Sequence, residues 1–566
     1  MSLTPTAFAF ATALALSAPL AALAAPQSAA AGASKGAAPD TMTDAALQAI
    51  VQQRLQGDRT GACFAVAVIG AEVARAYACA DAADAGRIDA RTAFEIGSVS
   101  KTMTSALLAD LIGQGKGSLD DPLSAWLPAG TKVPAYEGQP ILLRHVVTHT
   151  SGLPALPPGV EMVDASDPYA PVDAKMLLAS LERTPLTRAP GQGFEYSNFA
   201  SMLLSYAVAQ RAGQDLETLL DARLFTPLGM SGAYINERPE GVRAAAGHLP
   251  NGKATPAWRF KTDVAGVGGV RATLDDMVRY VQGQLGQVQA PITPALKLSQ
   301  QAVNPGATPA MAMNWMLAPL NGRTWLAHEG GTGGFSSFVA FDPAQQRGVV
   351  VLSDTALHSL GGLGSLGLHL ADRSVPLGKP RKAVPAPAGL IDALVGEYTL
   401  QGGMKMSLAR RGDQLTIQAQ GQPAFVMGHD DAGDFYPLEF DALLKPQRKS
   451  DGRYGFTWMQ MGGAMAAVRT DGDSGAAFPT PPAAQLQAYA GDYPLMPQFT
   501  LKVFEKDGTL YIQGTGQQAL PTAATAKDVF TVDQVGAEFR FERDGQGKVS
   551  AVTLLQGGQT LRGEKQ

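Results

Sequence analysis

The sequence has no basic block and no RNA-binding signature, and its net charge is −5. Nucleic acid is therefore excluded as a partner. No stretch beyond the N-terminal 25 residues is long and apolar enough to span a bilayer. Cysteine is nearly missing, with only Cys63 and Cys79. Neither directly follows the N-terminal apolar run, which argues against a lipoprotein anchor. The glycine-rich runs "GTGGF" and "GVGGV" match neither a P-loop nor a dinucleotide fingerprint. What is present is a soluble, globular composition, 45% hydrophobic and 17% charged, in a chain of 566 residues that is too long for one core. The 63 glycines and 38 prolines fit a loop-rich enzyme with linkers.

Residues 7–25 read "AFAFATALALSAPLAALAA", an apolar run ending in small residues. They predict a signal peptide over 1–24, cut after Ala24, although no Lys or Arg precedes the run. A flexible small-residue linker is expected over 25–41. The predicted location is the periplasm or the exterior, with no stable membrane anchor after cleavage. Cys63 and Cys79 lie symmetrically about Ala71, where Gly70-Ala71 marks a hairpin turn. Residues equidistant from a turn face each other. The pair is thus either a disulfide, possible in an exported protein, or two buried small hydrophobes.

Helical spacing predicts helices near 42–55, 98–113, 141–148, 176–181, 198–211 and 274–285, and a longer one over "LETLLDARLFTPLGM". The period then changes. "TWLAHEGG", "SSFVAFDP" and "RGVVVLSD" read as strands, followed by a covering helix near 360–370. Strands at both ends of a helical insert predict one sheet assembled from both ends, in a domain over 42–372. Proline-rich "RSVPLGKPRKAVPAPAG" predicts a linker at 373–388. Two similar antiparallel units follow, at 389–478 and 485–566, opened by "LIDALVGEYTL" and "LQAYAGDYPL" and joined by "FPTPPAAQ".

The stretch "FEIGSVSKTMTS" places Ser98 and Lys101 three residues apart at the start of a predicted helix. That spacing sets both on one side, one turn apart. A serine hydroxyl needs a base to take its proton, and a lysine can serve if burial lowers its pKa. Backbone N–H groups at a helix start also favour developing negative charge. Taken alone, the pattern more often marks Ser98 as a helix cap with Lys101 in solvent. Ser100 is the competing nucleophile, but it adjoins Lys101, where side chains diverge. His145 and His149 fall at i and i+4, on one predicted helix face. No glutamate motif lies between them and no third ligand is evident, so structural or surface roles are expected and no metal. Trp258 and Phe260 sit in a loop that either lines a cleft or anchors itself to the core.

Three motifs in order carry a resemblance: "FEIGSVSKTMTS", "PGQGFEYSNFAS" and "HEGGTGGF". The chain resembles the serine beta-lactamase and penicillin-binding protein superfamily over about residues 45–370. More narrowly, it resembles the class C beta-lactamase branch with its esterase, D-aminopeptidase and DD-peptidase relatives. The resemblance implies an α+β fold, with an antiparallel sheet flanked by helices and a helical subdomain. It implies lipocalin-like, barrel-like β domains behind it. It implies Ser98 as nucleophile, Lys101 as base and Tyr196 as proton carrier, as phenolate or through Lys101. The N–H groups of Ser98 and Gly331 would form the oxyanion hole. Asn198, His328, Glu329 and Gly330 would bind substrate, with Asn198 hydrogen-bonded to Lys101; the other reading of Asn198 is a helix N-cap. His328 stands where beta-lactamases carry a permanent cation, which weakens carboxylate recognition. The expected reaction is acyl transfer to water, most readily as a peptidase or amidase on small peptides, with or without D-residues. A carboxylesterase, a weak beta-lactamase or DD-carboxypeptidase, and a penicillin-binding sensor are the alternatives. No cofactor is required, and the C-terminal domains offer a surface for homo-oligomer contacts.

Overall fold

A computed structural model describes residues 42–160, 164, 166–401, 403–449, 452–460, 463–471, 481–496, 499–532, 535, 537–556 and 559–566. The expected signal peptide and the 25–41 linker lie outside the described residues, as do the first three residues of the "FPTPPAAQ" joint. The chain divides into two compact units, one running to Ala383 and the other built from Val384–Gln460 and Ala464–Gln566.

The first unit is organised by one antiparallel sheet. Its strands are β1 (Cys63–Ile69), β2 (Val73–Cys79), β3 (Met316–Leu320), β4 (Arg323–Gly331), β5 (Ser336–Asp342) and β6 (Arg347–Ser353), in the spatial order β3-β4-β5-β6-β1-β2. Strands from the two ends of the unit meet at β1 and β6, where Phe64 opposes Ser353 and Ile69 opposes Gly348. β3 was not evident in the sequence, because "MLAPL" carries a proline; it lies on the sheet edge, where a missing N–H is tolerated. Cys63 opposes Cys79 in the register of β1 and β2, and their sulfurs are bonded.

Successive side chains on a strand face opposite ways, so a sheet covered on both faces reads as a continuous apolar run. "CFAVAVI" is such a run, and every residue in it is buried. Phe64, Val66 and Val68 pack on one face with Leu47, Val51 and Leu55 of α1 (Asp44–Leu55). Ala65, Ala67 and Ile69 face the larger core beneath the helical subdomain. That core holds α2 (Ser100–Gly113), α3 (Leu143–Val147), α4 (Asn198–Ala212) and α5 (Leu274–Leu285). Each of residues 100–109 of α2 is buried. α2 is thus enclosed on all sides rather than amphipathic. α6 (Gly364–Ala371) covers the opposite face through Leu366 and Leu370. Val375 and Leu377, within the expected linker, pack on this same unit.

In the second unit, eight strands between Gly396 and Arg469 close into an antiparallel barrel. The strands after Gly491 form two sheets, of four and five strands, so only the first domain closes among the described residues. The repeat legible in the sequence has a local counterpart. Tyr398 donates its hydroxyl hydrogen to Leu394 O at 2.8 Å, and Tyr493 donates to Tyr489 O at 2.7 Å. Each tie locks a short helix onto the strand it precedes.

Candidate active site

Ser98 lies in a single 3-10 turn, Gly97–Val99, that leads into α2. It is not the cap of that helix: the cap position is Val99, with no side-chain bond. Gly97 has φ +51°, a conformation that side chains with a Cβ rarely adopt. A Cβ there would also collide with the backbone of Gly331, and one on Gly330 would collide with Ile96 O. The Ser98 turn and the end of β4 therefore meet backbone to backbone. Ser337 on β5 fastens the turn, its hydroxyl donating to Ile96 O at 2.7 Å.

Lys101 is 1% exposed, inside the core rather than in solvent. Its Nζ donates to Ser98 Oγ at 2.8 Å and to Val267 O at 2.7 Å. Burial holds the amine well below the usual lysine range, so the neutral form is favoured. A neutral amine has a lone pair that can accept the Ser98 proton along the same contact. Ser100 is occupied elsewhere: its hydroxyl oxygen accepts from Val270 N at 3.1 Å.

Tyr196 stands on the third side. Lys101 Nζ lies 5.1 Å from its ring centroid, and its phenol faces the Ser98 hydroxyl. Burial raises the phenol above its ordinary value, with the neighbouring Ser98 hydroxyl acting the other way. The resting group is a phenol, not the phenolate that a flanking ammonium would have favoured, because the flanking lysine is itself driven toward neutrality.

Several expected substrate contacts are placed differently. Asn198 is the first residue of α4; the cap is Ser197, whose hydroxyl accepts from Ala200 N at 2.9 Å. The Asn198 amide donates to the Tyr169 hydroxyl at 3.1 Å rather than to Lys101, and its Oδ1 is buried without a partner. Glu329 is not in the pocket. Neighbours on a strand face opposite ways, and its carboxyl lies on the far side of β4, against Gly362 and Gly364 at the start of α6. Burial pushes that carboxyl up to about 8, with the Gly364 N–H opposing. Gly330 packs on the Ser98 turn, whereas Gly331 lines the same small cavity as Ser98.

His328 is buried, and its Nδ1 lies 2.6 Å from Glu329 O. A carbonyl only accepts, so Nδ1 carries the hydrogen and Nε2 is left as an acceptor. Burial, seconded by Lys101, lowers this imidazole to about 3. His328 is thus a neutral acceptor rather than a cation.

The cavity beside Ser98 is also lined by Tyr169, Asn198, Trp258, Phe260, Val267 and Gly268. Tyr169 stacks on Phe260 at 5.0 Å and meets Trp258 at 5.2 Å. Trp258 and Phe260 line the cavity and also pack on the larger core, so both sequence readings hold; Tyr169 carried no signal beyond being an aromatic in a polar loop. His149 was also passed over as ordinary. The helix ends at Val147, so His145 and His149 share no helix face. His149 has φ +54°, is fully buried and stacks on Tyr196 at 4.2 Å. Its nearest sequence signal was the turn "TSGLP" that follows it at once. No group of three or more His, Cys, Asp or Glu suited to a metal occurs among the described residues.

Residues 47–359, more than half of the chain, match the beta-lactamase family. Residues 476–565 match a domain of unknown function, DUF3471. Over 280 residues the chain is 31% identical to the D-alanyl-D-alanine-carboxypeptidase/endopeptidase AmpH of Escherichia coli (strain K12), covering 45% of this chain and 69% of AmpH. It is 29% identical over 343 residues to a beta-lactamase of the same strain, covering 54% of this chain and 85% of that one. It is 26% identical over 378 residues to esterase EstB of Burkholderia gladioli, covering 57% and 94%. The chain therefore belongs to the beta-lactamase family and is a serine hydrolase of the superfamily that joins beta-lactamases, DD-peptidases and esterases.

Proposed function

We propose that Ser98 is the nucleophile, Lys101 its base and Tyr196 the proton carrier to the leaving group, and that the substrates are small peptide amides and esters, D-residues included. The observation that carries the reading is the enclosed contact of 2.8 Å between Lys101 Nζ and Ser98 Oγ. Neutral Lys101 takes the hydroxyl proton as Ser98 Oγ bonds to the carbonyl carbon, and the carbonyl electron pair moves onto oxygen. The N–H groups of Ser98 and Gly331 receive that oxyanion. As the tetrahedral species collapses, the departing nitrogen or oxygen takes the Tyr196 proton, which the Lys101 ammonium replaces. Water then attacks the acyl-Ser98 ester, giving its proton to Lys101, which passes it to the departing Ser98 oxygen.

His328 directs the choice of substrate. With its Nδ1–H given to Glu329 O, it offers Nε2 as an acceptor. That suits an amide N–H or an ammonium and does not attract a free carboxylate. The site thus favours amides, anilides and esters over a terminal acid, even though AmpH is named for carboxypeptidase as well as endopeptidase activity. Turnover of a D-alanyl anilide, a short acyl ester, a cephalosporin and a D-alanyl-D-alanine peptide tests this. The anilide and ester are expected to lead. A hundredfold preference for the peptide with its free carboxylate over the same peptide as methylamide would sink the assignment.

The bonded Cys63–Cys79 pair and the apolar N-terminal run support a periplasmic or secreted location. Export shown by fractionation, with thiols blocked in the mature protein, is the expected result; a cytoplasmic protein with two free thiols would contradict it. For the C-terminal unit, the closed eight-stranded barrel supports a lipocalin-like reading of the first domain.

A further inference from the structure

We infer that His149 is a positioning residue for catalysis, a neutral imidazole that holds Tyr196 in register with Ser98. The inference rests on the reading of Tyr196 as the proton carrier.

The segment carrying Tyr196 has a long loop before it and needs an external frame. The turn after α3 supplies one. Gly191 N donates to Thr150 O at 2.7 Å, and Asn198 N donates to Ala155 O at 2.9 Å. Between these, His149 takes both N–H groups that flank Tyr196. Glu195 N donates to the His149 carbonyl at 2.8 Å, and Ser197 N donates to His149 Nδ1 at 3.1 Å. One residue therefore fixes the peptide on each side of the phenol-bearing Cα.

The ring fixes the phenol itself. It lies 4.2 Å from the Tyr196 ring with 28° between planes, while Phe194 meets it edge-on at 5.9 Å. Stacking on one face removes the swing that would carry the Tyr196 hydroxyl away from Ser98. A displacement of about 1 Å at a reacting group can cost on the order of 100-fold in rate. His149 occupies a left-handed backbone position at φ +54°, where an ordinary side chain is disfavoured and asparagine is tolerated.

The tautomer follows from the partners. Nδ1 accepts a backbone N–H, so a neutral ring carries its hydrogen on Nε2. That nitrogen faces the Asn314 side chain, short of a hydrogen bond. The titratable groups around the ring are Lys101 on α2, His328 on β4 and Tyr196. Burial, then Lys101 and His328, hold His149 well below the usual imidazole range. A protonated ring could not accept from Ser197, so the neutral state is the one that performs the positioning.

The test compares His149→Ala and His149→Asn with wild type, counting competent sites by stoichiometric labelling with a serine-directed phosphonate. Each is assayed on a p-nitrophenyl ester, whose leaving group needs no proton, and on a D-alanyl anilide, whose leaving group does. Per labelled site, His149→Ala should lower kcat on the anilide by about 10- to 100-fold with KM within twofold, and on the ester by less than threefold. Asparagine fits the backbone and keeps an acceptor for Ser197. If the alanine variant does not fold, His149→Asn carries the test with only the stacking removed, and a loss above threefold confined to the anilide is expected. Equal losses on both substrates, or none, would overturn the inference. Tyr196→Phe separates the two readings. If it too spares the anilide, the role given to Tyr196 fails; if it shows the selective loss and the His149 variants do not, only the inference about His149 fails.

Discussion

Replacing Lys101 by methionine removes the amine and keeps an unbranched, buried side chain of similar length. The structural loss is small. Lys101 makes two hydrogen bonds, and Val267 O is left without its partner, at a cost of about 1–3 kcal/mol. Ser98 keeps Tyr196 beside it. The chemical loss is larger: a positioned general base contributes about 10²- to 10⁴-fold, or about 2.7–5.4 kcal/mol of barrier. Lys101→Arg distinguishes a base from a fixed cation. Arginine cannot accept the proton, and the contacts of Lys101 are a hydroxyl and a carbonyl, with no carboxylate among them. A lone buried charge costs about 3–5 kcal/mol, so arginine should fold less well than methionine and restore nothing. The assay is kcat/KM on a short ester per phosphonate-labelled site, beside chemical denaturation. Methionine retaining more than about a tenth of wild-type activity, or arginine recovering it, would refute the reasoning.

The remaining expectations are as follows. Because Lys101 acts as the neutral amine, kcat/KM is lost only as pH falls through its depressed pKa. Because Tyr196 acts as the phenol, with a raised pKa, there is no alkaline fall before about pH 10. A pH–rate profile that declines between about pH 8 and 9 would contradict both assignments. Gly97→Ala, strained at φ +51° and pressed on Gly331, should lower kcat by about 100-fold or more through the displaced oxyanion donors, measured per labelled site. Glu329 titrates at about 8 in the folded protein against 4.5 ordinarily, so the unfolded chain ionises first and stability falls as pH rises from 4.5 to about 8. Glu329→Gln should match wild type at pH 4.5 and exceed it at pH 8 in urea melts, by at most about 5 kcal/mol; identical pH dependence of the two proteins would show the carboxyl to be ionised already.

Much of the catalytic unit was legible because its signals are local. "CFAVAVI" reads as a strand buried on both faces, and Ser98 and Lys101 fall one helical turn apart whatever surrounds them. The enclosure of α2, which keeps Lys101 out of solvent, comes from elements distant along the chain and leaves no periodic trace. Glu329 was misplaced because strand alternation fixes that neighbours diverge but not which of the two faces Ser98. His149 was assigned to a helix that stops two residues earlier. Its function arises from a stacking contact 47 residues along the chain. Tyr169 meets Asn198 across a gap of 29 residues, and neither contact could be read from spacing.

The central claim is that an acyl group passes through Ser98. Rapid acid quench during turnover of a slow ester, followed by peptide mass mapping, tests it most directly. The account predicts one acyl group per chain, carried on the peptide containing Ser98 and missing in Ser98→Ala. Steady hydrolysis by Ser98→Ala, or an adduct on another residue, would contradict it.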